Sequence, residues 1–222
     1  MQNSNLLFLA AVLLIASCWE HNSDSNSRLS TSDTLKTFIS EIPTYKHGRL
    51  KGDTSNSFKA IKEQSKQLDL TNLYKGYDSL EIRIWLGHSL AVKRNVVIIN
   101  RTNSKWSGQL VTFKVGHYEK DGAELVDNKQ VDNVTPKSGW KSFTERLFSY
   151  QVMTLPNEDD INGYNGCGAD GLPYYFEIAT RHQYRFFTYC NIEGNIQNFP
   201  QARHVDNIAR LLEKELSFKF TR

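Results

Sequence analysis

The sequence predicts an α+β protein built on an antiparallel sheet of about four to six strands, with helices packed mainly on one face. Three observations carry this reading. Polar and apolar residues alternate along several short stretches between residues 73 and 189, which is the two-residue period of strands with one covered face. Spacings of three and four mark stretches near the start, at residues 138–150 and at the C-terminal end. The order is helices, strands, helix, hairpin, helix, which is not the regular alternation of a doubly wound fold, and no repeat of about 20 to 50 residues is present.

The chain opens on an apolar run, LLFLAAVLLIA at residues 6–16, followed by Ser17 and Cys18. As a helix this run would be about 17 Å long, roughly half of what a hydrocarbon core of ~30 Å requires. It suits the hydrophobic region of a secretory signal, and Ala16 and Ser17 supply small residues for a peptidase. Residues 1–5 hold no Lys or Arg, so the positive charge there is the α-amino group. The segment Ile15-Ala16-Ser17-Cys18 resembles a bacterial lipobox. The resemblance implies cleavage before Cys18, lipid (diacylglycerol and palmitate) on that cysteine, and a protein tethered to a membrane of the cell envelope. The residue after the cysteine is Trp19 and not Asp, which favours the outer membrane over the inner one.

Residues 1–17 are therefore read as a signal peptide, 18–32 as the lipidated cysteine with a flexible tether, and 33–222 as a single α+β domain. The tether follows from composition: residues 21–32, HNSDSNSRLSTS, have too little apolar surface to offset the entropy of ordering them. A helix is expected at 33–42, where Leu35, Phe38, Ile39 and Ile42 recur at helical spacing before Pro43, and a loop over 44–57. Residues 58–70 form a second helix with a narrow stripe.

The period then changes. Leu80, Ile82, Ile84 and Leu86 alternate with Glu81, Arg83 and Trp85, a strand with one apolar and one mixed face. Strands follow at 96–100, 106–118 and 123–126, joined by turns at Asn103-Ser104 and Asp121-Gly122, with a further short strand at 131–134. Trp140, Phe143, Leu147 and Tyr150 define a helix over 138–150 with Ser138 as N-cap. Gly163, Gly166, Gly168 and Gly171 mark an irregular loop, after which residues 174–179 and 183–189 form an aromatic hairpin turning near Arg181. The last helix follows Pro200, with Val205, Ile208, Leu212 and Leu216 on its apolar side, supplemented by Ala209 and Leu211.

With Cys18 consumed by lipid, Cys167 and Cys190 remain. An even pair in an oxidising compartment favours a disulfide over two free thiols, and closing its loop of about 24 residues would stabilise the fold by roughly 3 kcal/mol. A nucleophilic role for Cys167, with His182 or His204 as base, lacks any supporting motif. His47, His88, His117, His182 and His204 are scattered, and the acidic loop around Glu158, Asp159 and Asp160 departs from calcium-loop spacing, so neither metal nor other cofactor is implied.

A formal net charge of +3 gives no electrostatic footprint for nucleic acid, although Arg181, Arg185 and Arg203 are interleaved with aromatics. Glu145 and Glu177 are the carboxyls considered for glycoside hydrolysis, and no spacing brings them together. Tyrosines concentrate near the glycine loop and hairpin, and Tyr164, Tyr174, Tyr175 and Tyr184 are the candidate binding surface.

The lipobox leader, polar tether and aromatic α+β domain together resemble the envelope lipoproteins of Bacteroidota, a resemblance that brings no catalytic residue with it. The expected role is non-enzymatic binding or assembly, with a protein or glycan as partner besides the membrane. The alternative is a lipid-anchored hydrolase acting on cell-wall or carbohydrate material. A third reading, an immunity or inhibitor protein, would need a protruding loop at 157–171.

Overall fold

Seven strands form one sheet in the order β1-β7-β6-β2-β3-β4-β5. The computed structural model describes residues 37–46, 49–86, 93–118, 124–166 and 172–219, all within a unit that spans Lys36–Arg222. The leader, Cys18, the tether, the Asp121-Gly122 turn, His47, His88 and Cys167 lie outside the described residues. Among those described, no helix is long and apolar enough to cross a membrane.

The strands are β1 (Ile39–Glu41), β2 (Leu80–Leu86), β3 (Lys93–Thr102), β4 (Lys105–Tyr118), β5 (Glu124–Val134), β6 (Tyr174–Thr180) and β7 (Gln183–Tyr189). The helices are α1 (Asn56–Gln67), α2 (Gly139–Ser149), α3 (Ile192–Asn195) and α4 (Pro200–Leu216). This is the expected α+β class with two differences in the sheet. The pairing is mixed, because β1 runs parallel to β7 while every other neighbour is antiparallel. The strand number also exceeds the expected four to six.

β1 replaces part of the helix expected at 33–42. Phe38 and Ile42 pack into a core while Ile39 is 55% exposed. A spacing of four residues fits both a helical turn and two steps of a strand, so this pair alone could not separate the periods. Backbone pairing decided it, with Ile39 N–H donating to His182 O at 2.9 Å. The Phe38 ring lies 2.9 Å from where a Cβ on Gly76 would stand, and Gly76 has φ +98°, so this crossing requires glycine.

Apolar side chains fill both faces of the sheet. On one face Ile82, Ile84, Val97, Ile99, Phe176, Ile178 and Phe187 meet Phe143 and Leu147 of α2, Ile192 of α3, and Val205, Ile208 and Leu212 of α4. On the other, Trp85, Val96, Ile98, Val111, Phe113, Tyr184 and Phe186 meet Phe58 and Ile61 of α1, with Leu68 and Leu73 beyond it. Three helices thus cover one face, and α1 covers the other. The sheet is buried on both sides over β2, where residues 81–86 are all buried.

Local chemistry places α1. Ser55 caps its N-terminus, accepting from Phe58 N–H at 3.3 Å. At the other end Asp69 is left-handed (φ 55°), while Leu70 N–H donates to Ser65 O and Asp69 N–H to Lys66 O, the paired bonds of a Schellman stop. The Gln67 side chain accepts from Val126 N–H at 2.8 Å and donates to Glu124 O at 3.1 Å. Lys129 donates to Leu68 O at 2.9 Å, so the end of α1 is tied to β5.

The expected N-cap of α2 is arranged differently. The Ser138 hydroxyl accepts from Arg146 at 2.6 Å, and Glu215 of α4 accepts from Ser138 N–H at 2.8 Å. A carboxylate from another helix thus satisfies an N–H at the entry to α2.

The β3–β4 turn is the expected Asn103-Ser104 pair, with φ of 49° and 64°. Both values belong to the type I′ hairpin, whose second position favours glycine. Ser104→Gly should therefore raise unfolding free energy by about 0.5 to 1 kcal/mol in urea denaturation. A loss of stability would mean that the hydroxyl has a role there.

A candidate ligand pocket beneath the first helix

The mixed face of β2 is the origin of the site. Glu81, Arg83 and Trp85 point toward α1, so the strand carries two charged groups and an indole into the interior. Arg83 is 1% exposed, and Glu81 and Glu177 are each 5% exposed. Arg83 faces Glu177 across the β2–β6 pairing.

The Arg83 guanidinium is held on two sides. Its Nε donates to Glu81 Oε1 at 2.7 Å, and Nη2 donates to the Thr71 carbonyl at 2.7 Å. Its Nη1 stands 3.8 Å from Glu177 Oε2, an ion-pair contact beyond hydrogen-bond reach. Nη1 makes no hydrogen bond among the described residues. Glu177 accepts from Trp85 Nε1–H at 2.8 Å and from the Tyr184 hydroxyl at 3.0 Å.

Above this floor is a cavity of about 360 Å³ between α1, the turn Leu73–Lys75 and strands β2, β6 and β7. Arg83, Glu177 and Tyr184 line its inner end, with Phe58, Leu70 and Leu73 as apolar walls. Ser65 of α1 also lines it; it is 8% exposed, and its hydroxyl oxygen, like Arg83 Nη1, has no partner among the described residues. Lys62, Lys66, Glu63 and Asp69 surround the exposed side, and the Lys62 ammonium sits 4.8 Å from the centre of the Tyr74 ring.

Burial away from water is the largest influence on Glu177 and pushes its carboxyl above the ordinary range. Arg83 and the Trp85 and Tyr184 hydrogen bonds oppose this, and Glu81 reinforces it. Burial, followed by the Glu177 carboxyl, likewise holds the Tyr184 phenol far above its usual value, so it remains a hydroxyl donor.

The four tyrosines proposed from sequence as one surface are divided by the sheet. Tyr164 and Tyr174 pack on the α4 side, and Tyr175 and Tyr184 on the α1 side. The Tyr164 ring meets Tyr189 and Phe199 at 5.7 and 5.2 Å, and its hydroxyl donates to Cys190 O at 3.0 Å. Tyr175 stacks on Phe186 at 6.1 Å. Tyr184 alone of the four lines the cavity.

Other expected candidates disperse. Glu145 is exposed on α2, on the far side of the sheet from Glu177, so the two do not form a glycosidase pair. Glu177 also does not pair with Arg185 across the hairpin. Arg185 turns to the other face, binding Glu41 at 2.6 Å and the Leu155 carbonyl at 2.7 Å.

The acidic loop residues diverge as well. Glu158 accepts from Cys190 N–H at 2.7 Å, and Asp160 pairs with Lys46. Burial raises the Glu158 carboxyl above the ordinary range against that hydrogen bond. His182 lies in the β6–β7 turn and His204 on α4. Arg203 donates to the carbonyls of Ile196 and Gln197, so the arginines form no common stripe with Arg185. Among the described residues no group of three His, Cys, Asp or Glu could hold a metal ion.

Cys190 is fully buried at the end of β7 and is disulfide-bonded, its partner sulfur lying outside the described residues. The segment holding Tyr164 and Asn165 runs beside it. Asn195 receives Asn165 N–H at 3.3 Å and donates to Asn165 O at 2.7 Å.

A comparison with protein-family models and one with curated proteins each find no match to this chain.

Two expectations follow. Arg83→Met alone strands two buried carboxyls and should lower stability by about 3 to 5 kcal/mol, whereas the triple change Glu81→Met, Arg83→Leu, Glu177→Met should be neutral or stabilising by about 1 to 4 kcal/mol. Urea titration of the two variants checks this; a triple variant as damaged as the single one would show that the polar floor is needed for folding.

The second concerns pH. With the folded Glu177 carboxyl raised above its ordinary 4.5, the native state binds more protons than the unfolded chain above that pH, so this group's contribution declines as pH rises. Glu158 acts in the same sense. Glu177→Gln should therefore gain stability relative to wild type between pH 4 and 8, and parallel stability curves would refute the assignment.

Proposed function

We propose that this chain is a lipid-anchored protein of the bacterial cell envelope, at the outer membrane in preference to the inner one, and that its folded domain binds a small ligand non-enzymatically beneath α1. One observation carries the binding reading: Arg83, buried and charged, directs a hydrogen-bonding nitrogen without a described partner to the floor of a cavity. A buried ion cluster contributes little net stability, and leaving a buried donor unmet costs about 1 to 3 kcal/mol. A ligand that meets that donor offsets the cost.

The hydrolase alternative is less well supported. It requires two carboxyls acting on one bond, while Glu145 is across the sheet and Glu81 does not line the cavity. The anchor reading is supported by residues 6–16 and the segment Ile15-Ala16-Ser17-Cys18. In an oxidising compartment Cys167 is the natural partner of Cys190, because Asn165 already lies against Asn195 and the Tyr164 hydroxyl on the Cys190 carbonyl.

Intact mass and membrane fractionation of wild type against Cys18→Ser, each expressed with its own leader, test the anchor. The wild type should carry a lipid-sized mass and sediment with membranes, and the variant should lose both. Equal mass and equal fractionation would overturn it.

A further inference from the structure

The chemistry of the cavity floor narrows the ligand, and this inference rests on the binding reading above. The geometry points to a neutral, polyhydroxylated ligand the size of one sugar ring, held by a hydroxyl that accepts from Arg83 Nη1 and donates to Glu177 Oε2.

Charge is the first constraint. One guanidinium at the floor already faces two carboxyls, Glu81 at 2.7 Å and Glu177 at 3.8 Å. An anionic ligand would bring a third acidic group to a single cation in a site withdrawn from water, where unbalanced charge is heavily penalised. The lysines at the mouth do not alter this: Lys66 stands 3.7 Å from Glu63, Asp69 is taken by Lys129, and Lys62, over the Tyr74 ring, is exposed, so its charge is screened by water.

Open hydrogen-bonding capacity is the second constraint. Nη1 can only donate, Ser65 can donate or accept, and each Glu177 oxygen has capacity beyond the bond it receives from Trp85 or Tyr184. The ligand must therefore offer acceptors and donors close together. A hydroxyl does both at one atom. An oxygen placed about 2.8 Å from each of two groups that are 3.8 Å apart closes an ordinary triangle, which fits Nη1 and Oε2.

Size and walls are the third constraint. A cavity of about 360 Å³ is at the small end of ligand sites, and Phe58, Leu70 and Leu73 offer apolar surface for the C–H face of a ring. A free monosaccharide and the terminal residue of a glycan share this chemistry.

The test is saturation-transfer NMR on the full chain in detergent, with glucose and N-acetylglucosamine as neutral probes, glucuronate as the anionic counterpart and glucosamine as the cationic one. At least one neutral sugar should bind at least tenfold more tightly than either charged counterpart. Ser65→Ala, which removes one hydroxyl without touching the ion cluster, should weaken that binding about fivefold, the equivalent of one hydrogen bond. Arg83→Met should abolish it where the variant folds.

Tighter binding of glucuronate or glucosamine, or neutral-sugar binding unmoved by Ser65→Ala, would overturn the neutral-polyol assignment and leave the pocket as a site for another ligand. Failure of all four probes, with acetate, phosphate and glycerol also silent, would overturn both this inference and the binding reading beneath it. If N-acetylglucosamine binds, comparison with its β-1,4-linked disaccharide distinguishes the sources: equal or tighter disaccharide binding indicates a glycan end, and weaker binding a free sugar.

Discussion

A buried guanidinium between two carboxyls is the constraint around which this side of the fold is arranged. Arg83 can occupy the interior because Glu81 takes its Nε, the Thr71 carbonyl takes Nη2, and Glu177 stands opposite Nη1. Each partner in turn needs support. Glu177 is oriented by Trp85 and Tyr184, and Thr71 belongs to the segment that leaves α1 and enters the turn Leu73–Lys75. The path of the chain after α1 is thus coupled to the charge on β2.

The same requirement explains why α1 buries polar residues. An ordinary covering helix presents an apolar stripe, and Phe58 and Ile61 do so, but the next turn buries Gln64 and Ser65. Gln64 reaches Glu124, which also binds Arg94, and Ser65 borders the cavity. Polar side chains in the helix continue the polar ground of the sheet below it. Replacing Ser65 with leucine would fill part of the space that the cavity occupies.

Much of this architecture was legible in the sequence, and the misreadings have physical causes. Strict alternation found β2, aromatic content on either side of a polar turn found the β6–β7 hairpin, the Asn103-Ser104 pair located a turn, and the apolar stripe of α4 ran through the expected residues. The mixed face of β2 was legible as mixed, but alternation reports polarity and not burial. Only the tertiary placement of α1 turns Glu81 and Arg83 inward. The tyrosine cluster misled for the complementary reason: proximity in sequence along a hairpin places successive residues on opposite faces, so Tyr174 and Tyr175 diverge at once. Arg83 and Ser65 are 18 positions apart on different elements, and no local pattern joins them.

The two edges of the sheet are unequal. β1 and the Asn157 side chain, which receives Thr188 N–H at 2.9 Å, cover β7, whereas β5 forms the opposite edge with residues 127–133 exposed. Among the described residues no strand pairs with this edge, and an edge of this length is a template for another chain. Asp127, Lys129 and Asp132 set charges along it, and irregular register between Lys114 and His117 disturbs the flat ladder that a second strand would extend. Between molecules at high concentration, that arrangement is a form of colloidal protection: neighbours can collide edge to edge and separate again.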